Sequence, residues 1–320
     1  MKIMVTGAAG FIASHVADAY ANLGHEVFVV DDLSRGSKKN IPSGRRFYQV
    51  DVQDRATIDE IFAREKPDVV NHHAAQMDVR RGVREPIFDA RVNILGSLNL
   101  IEASVANGVK RFIYAATAGA GYGEPKEMPV PETAPVNPIT PYGVSKHTVE
   151  HYLFTFHDLY GLKYVALRYG NVYGPRQSSQ GEAGVFAIFS EQMLAGIEPV
   201  IYGDGSKIRD YIYVSDVAAA NVAALERGTC EIFNISGGVP TTDLEVFTEV
   251  RQCLKKENVS CRYVPKRPGE IDRICLDVSK ARNLLAWQPR VSLREGARLT
   301  TAYFQKEIAE DKISAVPSNP

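Results

Sequence analysis

Six short β-branched runs alternate with stretches of helical periodicity over the first 170 residues, and this alternation restricts the chain to very few folds. The runs are Ile3–Thr6, Val27–Val30, Phe47–Val50, Val69–His72, Phe112–Ala116 and Tyr164–Arg168. Helices are expected at Ile12–Leu23, Thr57–Glu65, Asp89–Ala106 and Tyr142–Tyr160, with Asn107-Gly108 stopping the third. Strands joined by helices imply a parallel sheet covered on both faces. The expected fold is therefore α/β, a Rossmann-type doubly wound parallel sheet with a smaller C-terminal α/β substrate domain. Its boundaries are placed at 1–170, rejoined by about 206–228, and at 171–320.

The first strand runs into Gly7-Ala-Ala-Gly10-Phe-Ile-Ala13, at the strand-to-helix turn where a phosphate-cradling loop belongs. Gly7 permits the tight turn, Gly10 lets backbone approach a pyrophosphate, and Ala13 is small enough for helix–strand packing. The second strand ends in Asp31, whose carboxylate can take both adenosine ribose hydroxyls and would repel a 2′-phosphate. NAD is thus expected over NADP, with Arg35 as the feature that speaks against it. The plainer reading of Asp31 is a strand-end turn residue.

Tyr142 and Lys146 lie one helical turn apart in Thr140-Pro-Tyr-Gly-Val-Ser-Lys146, and Thr117 ends an upstream apolar strand. A free phenol, with a pKa of about 10, is a poor base, but a cation on the same helix face favours the phenolate. Thr117 can hold a substrate hydroxyl while Tyr142 takes its proton. The spacing alone is weak, for Tyr122-Gly-Glu-Pro-Lys126 repeats it. There Pro125 forbids a shared helix face, whereas Thr140 and Pro141 suit a helix start.

Past residue 170 the pattern loosens into glycine- and proline-rich loops at Gly174–Gly184 and Pro199–Gly205, expected to face substrate. Tyr211–Val214 reads as a strand feeding a helix after Ser215-Asp216, and Asp243 as the cap of a helix through Leu254. Ser314–Pro320 is expected to be disordered.

Bulk properties exclude several classes. At 320 residues, 45% hydrophobic, with net charge −1, the chain has no basic field for nucleic acid or anionic membrane. No apolar stretch suffices to span a bilayer, and no signal-peptide core is present, so a cytoplasmic location is expected. Cys230, Cys253, Cys261 and Cys275 contain no Cys-x-x-Cys and read as reduced thiols. His147 and His151 share a helix face but lack a third ligand nearby, so no metal site is assigned.

These motifs resemble the extended short-chain dehydrogenase/reductases, and within them the nucleotide-sugar epimerases of the UDP-glucose 4-epimerase type. The resemblance spans Met1 to about Thr301 and rests on Thr6–His15, Val92–Gly96, Pro141–Lys146, Leu167–Arg176, Tyr202–Tyr211 and Arg267-Pro-Gly-Glu270. It implies NAD contacts at Phe11, Ile12, Asp31, Asp51, Val52, Ala74, Asn93, Lys146 and Tyr169. It places the nucleotide sugar against Asn171 and Arg209 (phosphate), Tyr202 (base) and Glu270 (ribose), with Arg267 a weaker phosphate candidate. Surface ion pairing of Arg209 with Asp210, and a solvated Glu270, are the competing readings. The implied reaction takes the proton of the sugar 4-hydroxyl onto Tyr142 and hydride from C4 onto NAD. The 4-keto sugar then turns over and hydride returns to its other face.

Related dehydratases and decarboxylases carry an acid just after the catalytic Ser/Thr, whereas Ala118-Gly-Ala120 follows Thr117. Interconversion of UDP-glucose and UDP-galactose is therefore the expected activity. The alternative is an epimerase or 4-ketoreductase for a UDP-N-acetylhexosamine, a UDP-uronate or a dTDP-sugar; a silent nucleotide sensor is a third reading. Asp78, if it faces the pocket, disfavours a uronate, and Ile274 stands where the family controls N-acetyl tolerance. By the same resemblance a homodimer is expected, through a four-helix bundle of the Asp89–Ala106 and Tyr142–Tyr160 helices.

Overall fold

The computed structural model describes residues 1–41, 44–178, 184–267 and 271–314. The first six strands are β1 (Lys2–Thr6), β2 (Glu26–Asp31), β3 (Arg46–Gln49), β4 (Val69–His72), β5 (Arg111–Thr117) and β6 (Tyr164–Tyr169). Shorter ones follow: β7 (Asn171–Tyr173), β8 (Val200–Tyr202), β9 (Ile208–Tyr213), β10 (Glu231–Ile235), β11 (Pro240–Thr242) and β12 (Arg262–Val264). The helices of the first half are α1 (Phe11–Asn22), α2 (Arg55–Glu65), α3 (Val79–Arg84), α4 (Pro86–Ala90), α5 (Gly96–Ala106), α6 (Gly119–Tyr122) and α7 (Pro141–Tyr160). Those of the second are α8 (Val185–Leu194), α9 (Val214–Ala224), α10 (Asp243–Cys253) and α11 (Leu293–Ser314).

The main sheet is seven-stranded and parallel, in the order β10-β6-β5-β4-β1-β2-β3. Chain order reverses between β1 and β4, and such a switch point opens a crevice at the carboxyl ends of the strands. One face buries Val5, Val29, Ile113 and Leu167 against α1 and α9; the other buries Met4, Phe28, Phe112 and Ala166 against α2, α5 and α7. Because both faces are covered, the strands are runs of apolar residues rather than alternating ones.

The expected helix at Asp89–Ala106 begins three residues earlier, at Pro86, and contains a π-helical turn at Arg91–Leu95. Thr140 caps α7 by accepting from the Gly143 amide at 3.2 Å, with Pro141 in the first turn and Gly161 left-handed at the end. Asp243 is not the cap of α10. Thr242 is, in a capping box with Glu245, and the Thr-x-x-Glu spacing carries that signal in the sequence.

After β6 the chain builds a three-stranded sheet, β11-β9-β7, and a two-stranded one, β12-β8. Tyr173, Phe186, Phe189, Tyr211 and Phe247 fill the core of this part with α8, α10 and α11. α9 and β10 return to the main sheet, β10 pairing with β6 from Glu231↔Val165 to Ile235↔Tyr169. Residues 315–320, most of the expected disordered tail, lie outside the described residues. Among the described residues no helix is long and apolar enough to cross a membrane.

Candidate active site

A cavity of about 480 Å³ lies in the crevice at the switch point. Its floor is the turn after β1. Gly7 has φ 72°, and a Cβ there would stand 2.7 Å from the Ala74 amide nitrogen, so only glycine lets the β1 and β4 ends approach this closely. α1 starts without a side-chain cap on its first-turn amides, and Gly10, Phe11, Ile12 and Ala13 line the wall. Unpaired N–H groups and the positive end of the helix dipole thus open onto the cavity, as a pyrophosphate requires.

Asp31 lines the same wall and is only 7% exposed. Its carboxylate accepts from the Ala9 amide at 2.9 Å and the Leu33 amide at 2.8 Å. Burial raises its carboxyl above the ordinary carboxylate range, and those two amides oppose the rise. Arg35 does not turn to Asp31; its guanidinium points to Asp78 at 3.5 Å. Asp51, Val52 and Ala74 complete this end of the cavity.

At the other end lie Tyr142, Lys146 and Tyr169. Lys146 is buried; its Nζ donates to the Ala115 carbonyl at 2.9 Å and sits 6.0 Å from the centre of the Tyr142 ring and 4.9 Å from that of Tyr114. Burial lowers its pKa to about 8, with the charge of Asp89 working against the fall. The lysine therefore keeps its proton at neutral pH although it is almost wholly buried. His73 stacks on Tyr169 and shares a hydrogen bond between its Nε2 and the Tyr169 hydroxyl at 3.1 Å, and burial lowers its pKa to about 3, so it is neutral. Asn221 donates to that same hydroxyl at 2.8 Å.

Thr117 is the last residue of β5, paired with Tyr169 of β6. It does not line the large cavity. Beneath it Tyr122, Glu150 and Arg168 bound a small void. Arg168 donates to both Glu150 oxygens, at 2.8 and 2.6 Å, and to the Tyr122 hydroxyl at 2.8 Å. Burial would raise the Glu150 carboxyl, yet Arg168 and His147 bring it below the usual carboxylate range. This buried pair ties α7, two turns beyond Tyr142, to the strand beside Thr117. Gly143 makes the approach from the other side: a Cβ there would fall 2.1 Å from the Ala120 carbonyl oxygen, in the turn after Thr117.

The remaining expected contacts are placed differently. Asn93 does not line the cavity; from the π-helical turn its side chain accepts from the Gln76 amide at 2.8 Å and donates to the Gln76 carbonyl at 2.9 Å, holding the cavity wall. Asn171, Tyr202, Arg209 and Arg267 sit on the C-terminal part, none of them in the wall of this cavity. Arg209 is not paired with Asp210; it donates to the carbonyls of Ile208 and Ile271 at 2.8 and 2.9 Å. Asp210 is buried and accepts from the amides of Gly238 and Leu276. The Arg267 guanidinium lies 3.6 Å over the Tyr202 ring, and Glu270 falls outside the described residues. Asp78 does line the cavity and caps α3 through the Arg81 amide at 2.9 Å, while Ile274 is buried beside Ala118 and Tyr122. His147 and His151 face each other, Nε2 to Nε2, at 3.1 Å, and among the described residues no cluster of three metal-ligating side chains occurs.

Comparison with known proteins points the same way. A model of the NAD dependent epimerase/dehydratase family matches residues 3–236. A putative UDP-glucose 4-epimerase of Methanocaldococcus jannaschii is 41% identical over 296 residues, covering 92% of this chain and 96% of that protein. The crystal structure of Thermotoga maritima UDP-glucose 4-epimerase with UDP-glucose has a TM-score of 0.95 at 48% identity, over 96% of this chain and 100% of that one. The Thermus thermophilus UDP-glucose 4-epimerase complex with NAD has a TM-score of 0.90 at 42% identity, over 95% and 99% of the two chains.

Proposed function

This chain belongs to the NAD dependent epimerase/dehydratase family, and from that premise we propose that it is a UDP-glucose 4-epimerase, interconverting UDP-glucose and UDP-galactose. The observation that carries the reading is Tyr142 beside a buried, protonated Lys146 at the end of a dinucleotide crevice, with no acid following Thr117. The crevice fits NAD: a glycine turn that a Cβ would fill, an uncapped helix start, and a buried carboxylate where an adenosine ribose belongs. When bound, NAD supplies the acceptor for the C4 hydride and gives the hydride back.

The residues of the chain do the rest. The Lys146 ammonium favours the Tyr142 phenolate, which takes the proton from the sugar 4-hydroxyl. Thr117 hydrogen-bonds that oxygen and keeps it in reach. Tyr142 returns the proton to the carbonyl oxygen of the 4-keto sugar once the sugar has presented its other face. An acid able to expel water is missing from Ala118-Gly-Ala120, so the keto sugar is not steered to dehydration. Asn171, Arg209, Tyr202, Arg267 and Glu270 are assigned to the nucleotide, leaving the hexose free to turn. We place the NAD-binding unit at residues 1–170 rejoined by α9 and β10, later than the expected 206–228 because β9 pairs in the three-stranded sheet and β10 in the main one, and the sugar-nucleotide unit at the rest of 171–320.

We also assign a cytoplasmic homodimer. Ile87, Leu95, Val144 and Phe154 are exposed apolar side chains on α4, the π-helical turn and α7, a face suited to pack on its own copy. Four cysteines without disulfides are at home in a reducing compartment.

The test is proton NMR of UDP-galactose incubated with the purified protein and no added NAD. UDP-glucose should accumulate, and Tyr142→Phe should lower the rate by about 10²–10⁴-fold. No conversion with or without added NAD would overturn the assignment.

A further inference from the structure

Asp89, on α4, is fully buried and has no part in the scheme above. Its Oδ1 accepts the Ser145 hydroxyl at 2.6 Å, and its Oδ2 accepts the Gln76 side-chain amide at 3.1 Å. Ser145 directly precedes Lys146 on α7, and Gln76 with Met77 and Asp78 lines the cavity. One carboxylate therefore ties three elements of the site together. Gly82 on α3 leaves room for it: a Cβ there would lie 2.9 Å from Oδ2.

The two donors are neutral, so hydrogen bonding requires an acceptor but not a charge, and a buried charge is expensive to keep. What the charge adds is a field at Lys146. The other groups around that ammonium cannot supply it. His72, the last residue of β4, and His73 just after it are uncharged, their pKa values lowered by burial. Tyr114 on β5 is held protonated by burial, and Tyr142 is the group being activated. Asp89 is the anion that opposes loss of the lysine's proton.

We propose that Asp89 is a positioning residue of the reaction, fixing the first turns of α7, and with them Tyr142 and Lys146, against the Gln76 segment of the cavity wall through Ser145. The proposal rests on the roles given above to Tyr142 and Lys146. It is tested on the holoenzyme by kcat and KM for UDP-galactose against pH, in wild type, Asp89→Asn and Ser145→Ala. The alkaline limb of kcat should move to lower pH by about one unit in Asp89→Asn. KM should stay within about twofold, because the group acts on the chemical step. Ser145→Ala keeps the charge, so kcat should fall while the limb stays in place.

A limb that coincides with wild type in Asp89→Asn, or a uniform loss at every pH, would overturn the proposal. Should Asp89→Asn not fold, Gly82→Ala displaces the carboxylate instead; wild-type kcat in both Gly82→Ala and Ser145→Ala would overturn it equally. Failure of the wild type to convert UDP-galactose is a separate result, and it strikes the functional reading rather than the role of Asp89.

Discussion

Replacing Lys146 with methionine should make the cofactor-free protein more stable near neutral pH while removing its activity. The lysine is 4% exposed, and burial lowers its pKa from 10.5 to about 8. Each pKa unit corresponds to about 1.36 kcal/mol, so holding the proton in the folded protein costs about 3 kcal/mol. Methionine fills similar space without charge but forfeits the bond to the Ala115 carbonyl, which returns about 1–3 kcal/mol of that gain. The net gain at pH 7 is therefore small, on the order of 1 kcal/mol.

The pH dependence is the sharper quantity. Between pH 8 and 10.5 the native lysine has released its proton while the unfolded one still holds it. The unfolded state then binds more protons, so wild-type stability rises with pH relative to a variant that cannot titrate there. The stability of Lys146→Met minus that of wild type should thus fall by about 3 kcal/mol from pH 7 to above 10.5, titrations elsewhere cancelling. Urea unfolding of nucleotide-stripped protein, followed by the fluorescence of the buried Trp287, measures it. A difference that stays constant across this range would refute a buried lysine that carries its charge at neutral pH.

Gly143→Ala should push the start of α7 away from the turn after Thr117, because its Cβ would overlap the Ala120 carbonyl oxygen. Turnover should fall at least about tenfold with less change in KM, as steady-state kinetics will show. Asp31→Ala removes a buried carboxylate from the cavity wall, and loss of a charge-assisted hydrogen bond should weaken NAD binding about tenfold to a hundredfold. Titration of the stripped protein with NAD reads this directly; unchanged affinity would mean that the ribose is held elsewhere.

The parallel sheet was legible because strands buried on both faces must be apolar runs, as at Val27–Val30 and Phe112–Ala116. The reading failed where that pressure relaxes. β10 is a five-residue edge strand whose apolar run is broken by Asn234, which leaves too short a pattern to mark a strand. α8 is apolar over most of its length and offers no clear period, while α11 was missed entirely. The π-helical turn that aims Asn93 at Gln76 leaves no mark in residue spacing.

The site divides in the same way. Gly7, Asp31, Tyr142 and Lys146 belong to local motifs, each confined to one turn or one helix, and local motifs survive in a sequence. Glu150 and Arg168 meet across 18 residues, and Asp89 reaches Ser145 across 56. Such pairs exist only once the helix is packed on the sheet. Gly143 could have been singled out, since the glycine after Tyr142 in a helix start is costly unless something must pass close by.

The central claim is that the hydride taken from C4 goes back to the same carbon without exchange. It is tested by converting UDP-galactose deuterated at C4 in ordinary water and measuring deuterium at C4 of the UDP-glucose formed. Full retention, with no added NAD, is the predicted result. Loss of the label to solvent would mean that the stereocentre is inverted by proton exchange, and it would contradict the account.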